Sequence, residues 1–422
     1  KKGWGKWFSI TCGIVALLLA TVPLTWSAAT RNAESEVKRI AREGGLPLSL
    51  ADLYPKYNGD PVDNAATYWT RLRDGDDWMK RVKKEPFEVA PGVAPPVAYR
   101  KQINDYESYY AVAERAAACS TWSPTRTGDP TTLNFPEYGP MRDAVTRLEY
   151  RSRLRTFDGD TEGALEDIRC SFKLANFMGK DPTLIGSMVK DAMVSMGYRA
   201  CLDLLVPASK NPALAKELVS AMDMVEPMNF AHVLEGEAFF AVWASTHRFG
   251  PEMLGGSENS DSRREAAKAE ASRYFWGPKV VQAWSDVLRE VRKAPSDPSI
   301  AASAMAKSLE PLTKTDDPRL LGVNIFLPVF SGYFRSVKRP RATKGMIDIA
   351  LAALQTNSPP NVQGSHDPFS DKPFHVLATE KGWKLYSVGL DGTDDKAATN
   401  IRGPKVDLVM EFDGQQITLK GS

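Results

Sequence analysis

Between Met141 and Glu226 the chain repeats one pattern: an apolar stripe at helical spacing, a stop, a short connection and a capping residue. Met141 to Phe157 reads as one helix, ended by Asp158-Gly159. Asp160 caps the next helix, in which Leu165, Ile168, Phe172 and Ala175 recur at spacings of three and four. Gly179 closes it, and Asp181-Pro182 supplies a cap residue followed by proline at the first helical position. Leu184, Met188, Ala192, Ser195 and Tyr198 mark a third helix that Pro207 stops; Asn211-Pro212 starts a fourth. Connections this short make neighbouring helices antiparallel, so the spacing predicts a body of helical hairpins.

The run Gly159 to Asp167 resembles the first helix of a tetratricopeptide-type repeat. No second copy follows at that repeat's period, which leaves a single degenerate repeat or a generic helical hairpin rather than a solenoid. Further helices are expected over Glu34–Arg42, Asn64–Lys83, Val97–Ala118, Asn229–Phe249, Arg263–Tyr274, Pro278–Arg292 and Ser299–Leu312, and a buried one around Leu320–Phe334. Ser120 to Pro140, rich in Thr, Pro and Gly, reads as a long surface loop. Four regions result: residues 1–30, a membrane-proximal stretch 31–140, the hairpin body 141–356 and a β module 357–422. The fold class is therefore mainly α with a small C-terminal antiparallel sheet. Its strands are expected at Phe374–Ala378, Lys384–Val388, Val406–Phe412 and Gln415–Leu419, the last two joined by an Asp413-Gly414 hairpin.

Lys1, Lys2 and Lys6 precede Trp7–Trp26, a run without any charge. Twenty helical residues span roughly 30 Å, the thickness of a bilayer's hydrocarbon core. Trp4, Trp7 and Trp26 stand at its ends, where indole rings favour the headgroup layer. Trp7–Trp26 is thus read as a single transmembrane anchor contacting the lipid bilayer. The preceding lysines favour a cytoplasmic N-terminus, with the bulk of the chain periplasmic or extracellular. The competing reading, a signal peptide cut near Ser27-Ala28-Ala29, gives the same address.

The formal charge of +2 is too small to argue for a nucleic-acid partner. Cys170 and Cys201 sit about 11 and 20 residues from a turn near Asp181. Antiparallel helices would offset them by roughly 14 Å, too far for a disulfide; a Cys119–Cys170 bridge stays open as the alternative, and buried free thiols are expected. The chain has 4 histidines and no H-E-x-x-H, G-x-S-x-G, P-loop or G-x-G-x-x-G motif. His232, Glu235 and Glu237 form H-x-x-E-x-E on one helix, which reads as a salt-bridged face because no matching Glu-x-x-His exists elsewhere. The basic cluster Arg335, Lys338, Arg339, Arg341 and Lys344 reads as a solvated helix face. No enzyme activity is expected.

The C-terminal region carries the most recognisable run, Tyr386-Ser387-Val388-Gly389-Leu390-Asp391-Gly392-Thr393-Asp394-Asp395. Ca²⁺ takes six to eight hard oxygens, often from loops bent by glycine. Asp391, Asp394 and Asp395 crowd around Gly392, and Asp407 opens the next strand. With Asp367-Pro368-Phe369 upstream and Val406-Asp407-Leu408 downstream, this resembles the calcium-binding end of the major pseudopilin of type II secretion. Asp391, Asp394, Asp395 and Asp407 are thus the candidate metal ligands; the resemblance implies a structural Ca²⁺ with Asp394 or Asp395, and Asp407, as side-chain ligands and nearby carbonyls completing the shell. It covers one module only: Trp7–Trp26 holds no glutamate, and a helical body separates it from the motif. The whole arrangement is similar to membrane-anchored bacterial envelope proteins. The leading expectation is an anchored extracytoplasmic scaffold, or an accessory subunit of a larger membrane assembly, whose partners are other membrane or envelope proteins. The alternatives are an extracytoplasmic hydrolase using carboxylates of the helical body, and a secretion- or pilus-linked component.

Overall fold

The structure is a computed structural model that describes residues 30–74, 95–128, 130, 132–247, 260–313, 330, 332–398 and 407–420, with side chains of 260–275 and 313 left aside. Along the chain run α1 (residues 30–43), a helical turn at Leu50–Leu53, 3₁₀ turns at Pro61–Asp63 and Ala65–Tyr68, and α2 (Trp69–Asp74). Then come α3 (Val97–Asp105), α4 (Glu107–Ala118), α5 (Tyr138–Phe157), α6 (Thr161–Met178), α7 (Leu184–Ser209) and α8 (Pro212–Asp223). They are followed by α9 (Phe230–Thr246), α10 (Ser260–Val291), α11 (Pro298–Ser308), a turn at Glu310–Thr313 and α12 (Lys338–Thr356). Four strands close the described chain: β1 (His375–Ala378), β2 (Trp383–Ser387), β3 (Leu408–Phe412) and β4 (Ile417–Lys420). The fold is mainly helical with a small C-terminal sheet. Among the described residues no helix is long and apolar enough to cross a membrane; Trp7–Trp26 lies outside them.

Two compact units are present. The larger comprises Tyr54–Thr127, Leu133–Val233 and Phe330–Ser422. Its centre is the antiparallel set α5, α6 and α7, with α8 and α12 packed on α7. The caps explain the phasing. Asp160 Oδ1 accepts from the Gly163 amide at 2.9 Å, and Asn211 Oδ1 accepts from Ala213 and Leu214 with Pro212 leading the helix. Asp181, expected to cap α7, does not: Thr183 accepts from the Gly186 amide instead, because the Asp181 carboxylate is drawn inward by other partners. Pro207 does not stop α7 either; it sits in the last turn, where only one ladder bond is lost before the helix ends at Ser209. The expected helix Val97–Ala118 breaks at Tyr106, whose amide bonds back to Ile103.

α6 and α7 approach closely at Gly197. A Cβ there would fall 2.4 Å from Phe172 Cε1, and Phe172 is wholly buried against the Tyr198 ring. Alanine gains about 1 kcal/mol in helix propensity over glycine, while forcing an extra carbon into a packed core costs about 1–3 kcal/mol. Because Phe172 has no open side to swing into, Gly197→Ala is expected to lower stability by about 1–2 kcal/mol. A thermal midpoint equal to or above the parent's would contradict this packing.

The sheet has order β1-β2-β3-β4, all antiparallel. Register pairs Trp383 with Phe412, Leu385 with Met410 and Ser387 with Leu408 on one face. On that face Trp383, Leu385, Leu408 and Met410 join the same apolar core as α5–α8 and α12, with β4 against α7 and β2 against α12. On the other face Tyr386 and Val409 form a small cluster with Ala397, so the loop after β2 folds back over the sheet. Asp413-Gly414 makes the expected hairpin: Gly414 has φ 92°, and Asp413 Oδ1 accepts from the amides of Gln415 and Gln416.

The smaller unit comprises Lys1–Leu53, Gly128–Thr132 and Leu234–Val329. Val37 and Ile40 of α1, Val287 and Leu288 of α10, and Ala301 and Met305 of α11 are buried. Arg292, just past α10, donates to the Gly44 and Gly45 carbonyls at 3.1 and 2.8 Å, satisfying the C-terminal end of α1, and pairs with Glu235 at 2.8 Å. The sequence divides Arg263–Tyr274 from Pro278–Arg292, but α10 runs through Pro278 as one helix. The buried positions Val281, Val287, Leu288 and Val291 hold the C-terminal part in helical register, outweighing one missing ladder bond.

Candidate functional site

At the C-terminal loop, Asp367 is fully buried and organises the Asp-Pro-Phe turn. Its Oδ1 accepts from the Phe369 amide at 3.0 Å and from Ser387 Oγ at 2.8 Å, and Oδ2 accepts from the Val388 amide at 3.2 Å. The turn and the end of β2 are thereby tied together. Beyond β2 the chain bends at Gly389 and Gly392, with φ of 68° and 70°.

Of the four acids, Asp395 is half-buried with its carbonyl accepting from the Ala398 amide at 3.2 Å, and the other three separate into two kinds. Asp391 is exposed and accepts from the Thr393 amide at 3.0 Å. Asp394 Oδ1 accepts from Tyr386 Oη at 3.1 Å and the Lys396 amide at 2.9 Å, while its Oδ2 lies 3.8 Å from His375 Nδ1. Both use the side chain to hold the loop's own backbone, as Asx turns do. Asp407 is different: it is wholly buried, Oδ2 accepts from the Ala397 amide at 2.9 Å, and Oδ1 has no hydrogen-bond partner among the described residues. Burial raises its carboxyl above the usual range, amide bonds from Ala397 and Asp395 oppose this, and the charges of Asp395 and Asp394 add to the rise. A negative charge without its full complement of donors is where a hard cation gains most. No group of three His, Cys, Asp or Glu residues spaced to hold a metal occurs among the described residues. Residues 399–406, between Asp395 and Asp407, lie outside them.

The H-x-x-E-x-E face behaves as a structural surface. His232 Nε2 lies 3.2 Å from the Lys180 carbonyl, and Glu235 pairs with Arg292. Among the described residues Cys119, Cys170 and Cys201 are free thiols, and burial pushes all three up, away from the thiolate form.

Sequence reasoning missed a set of buried ionic clusters in the larger unit. The stretch Ser120–Pro140, expected to be a surface loop, turns inward. Trp122 is buried, and the Arg126 side chain is only 3 % exposed, between Glu137 at 2 % and Asp181 at 0 %. Arg126 pairs with Glu137 and, at 3.1 Å, with Asp181. Its guanidinium stacks over the Phe135 ring with the centroid 4.7 Å away. Asp181 Oδ1 also accepts from Tyr54 Oη at 3.0 Å and Thr183 Oγ1 at 2.9 Å, and Thr183 Oγ1 lies 2.9 Å from Tyr138 Oη.

A second cluster centres on Asp167, which accepts from Arg151 Nε at 3.0 Å and Arg155 Nη1 at 2.9 Å. Arg151 also reaches Glu114 and lies over the Tyr110 ring, 4.0 Å from its centroid. Burial lifts the Asp167 carboxyl to about 6 even against those guanidiniums. In a third cluster, Glu149 grips Arg199 bidentately at 2.9 and 2.7 Å. No local signal announces these clusters, since the partners stand 11 to 127 positions apart. Such paired clusters tie neighbouring helices in fixed positions.

Comparison of the chain with protein-family models, curated proteins and solved structures finds no match.

Proposed function

We propose that this chain is a membrane-anchored extracytoplasmic protein whose helical body is a scaffold, or an accessory subunit, in a larger membrane assembly. The supporting observation is the mutual pairing of the buried ionic groups around Arg126, Arg151 and Glu149. Charges held by each other stiffen a surface, whereas a reaction centre leaves a group aimed at its substrate. The uncharged run Trp7–Trp26 supplies the bilayer contact. Crosslinking in intact membranes, then extraction of the full chain in mild detergent, is expected to recover it with stoichiometric envelope proteins. Recovery of the chain alone across several detergents and crosslinkers overturns the reading.

The C-terminal loop is proposed to hold a structural Ca²⁺, supported by the buried Asp407 Oδ1, which has no hydrogen-bond partner among the described residues. A ligand that binds only the folded state at a hundred times its Kd adds about 2.7 kcal/mol. Saturating Ca²⁺ is therefore expected to raise the unfolding midpoint by several degrees, and Asp407→Asn to abolish the rise. An equal shift in that variant, or no shift in the parent, sinks the assignment.

A further inference from the structure

In the smaller unit, α1 and α10 lie side by side and run in the same direction. A Cβ added at Gly277 of α10 would stand 3.4 Å from Val37 Cγ2, and one added at Gly44, which follows α1, would stand 2.7 Å from Ser285 Cβ. Residues 37 to 44 therefore run beside 277 to 285. Ser245, near the end of α9, meets the same Gly277 position at 3.1 Å, so a third helix holds the register.

The two parallel helices begin at different levels. α1 starts at residue 30, about 10 Å before the level of Val37, whereas α10 starts at Ser260, about 25 Å before Gly277. α10 therefore overhangs the start of α1 by about 15 Å. A bend of about 30° at Pro278 would still leave about 12 Å.

The overhang points the way α1 came from, and residue 30 lies only four positions after Trp26. Four residues reach at most about 14 Å. We propose that the first turns of α10, residues 260–268, rest on the phospholipid headgroup layer beside the anchor and give the unit a second contact with the bilayer. This rests on the reading of Trp7–Trp26 as a membrane span. If α1 stands upright, the overhang is as long as the link can stretch, so the start of α10 meets the surface. If α1 lies flat, the two helix starts are level to within the roughly 9 Å spacing of packed helices, and the short link keeps both near the lipid. The sequence of this tip suits the headgroup layer and no greater depth. Ser260-Asp261-Ser262-Arg263-Arg264 is too polar for hydrocarbon, and Arg263, Arg264 and Lys268 outnumber Asp261 and Glu265, which favours lipid phosphates.

The test places the photocrosslinker p-benzoylphenylalanine at position 264, at 268 or, as a control, at 289 of the full chain. Each protein is reconstituted in vesicles of phosphatidylethanolamine and phosphatidylglycerol. Arg289 lies on the same helix about 18 Å beyond Gly277, away from the anchor, and its side chain is 62 % exposed. Lipid adducts, counted by mass spectrometry, are expected at 264 or 268 at least five-fold above those at 289. Equal lipid yields at the three positions, or adducts at 264 and 268 with protein alone, overturn the proposal. A carbonate wash separates this contact from the anchor itself. Release of the chain by carbonate removes the anchor and the proposal with it, whereas a retained chain without lipid adducts at 264 and 268 overturns the contact alone. An unfolding midpoint matching the parent's shows that each labelled protein keeps its fold.

Discussion

Replacing Arg126 with Met is expected to destabilise the larger unit by about 3–5 kcal/mol at neutral pH, the usual consequence of removing one partner from a buried ionic cluster. Met fills much of the volume and keeps contact with Phe135, so the loss is electrostatic rather than a cavity effect. The Glu137 and Asp181 side chains, 2 % and 0 % exposed, would be left without their shared cation. Burial works against the Arg126 charge, yet the Glu137 carboxylate and Asp181 more than offset it and hold the guanidinium protonated. Arg126→Lys is expected to recover only part of the loss, because a compact ammonium cannot reproduce a planar fork that meets two carboxylates and stacks on a ring. Combining Arg126→Met with Glu137→Gln should be less damaging than the sum of the single changes, since the second removes a charge that the first orphans. Denaturant unfolding of the four proteins measures this cycle. A loss under about 1 kcal/mol for Arg126→Met, typical of exposed pairs, would mean that the cluster is open to water.

The helices and strands were largely legible because their signals are local. Asp160 and Asn211-Pro212 cap where their side chains reach their own amides two or three residues on, and Asp413-Gly414 turns where its φ demands glycine. Asp181 has the same local chemistry as Asp160 but a different fate. Tyr54 and Arg126, 127 and 55 positions away, compete for its oxygens and win, and Thr183 takes over the cap. Likewise Ser120–Pro140 has a loop's composition, and nothing within it says that Arg126 faces inward. The candidate sites divide in the same way. The Asp391 and Asp394 turns follow from short-range spacing, while the burial of Asp407 and its bond from the Ala397 amide, 10 positions away, depend on how the loop closes over the sheet. In the basic cluster, the position of Lys344 between Asp223 and Asp348 is fixed by helix packing that no run of charges encodes.

Asp191→Asn is expected to stabilise the protein above neutral pH and to change little near pH 4. The sign follows from proton binding. The folded state holds the Asp191 proton up to about 7, whereas the unfolded chain releases it near the ordinary carboxyl value of 3.8. Between those values the unfolded state binds fewer protons, so stability falls as pH rises, and the slope ends once the folded carboxyl also ionises. Each pH unit of that window is worth about 1.4 kcal/mol. With the partial exposure of the residue discounted, the parent's deficit at pH 8 is about 2–4 kcal/mol. Asparagine has no proton to lose and keeps a donor and an acceptor, so the variant should lack this slope. Lys190, Tyr333 and Arg341 face the same carboxyl and remain in both proteins, which isolates the difference to one group. Chemical unfolding at pH 4, 6 and 8 decides it: parallel stability profiles for parent and variant would show that Asp191 ionises normally. A gain confined to high pH would mean that the fold tolerates a carboxylate that weakens it at neutral pH.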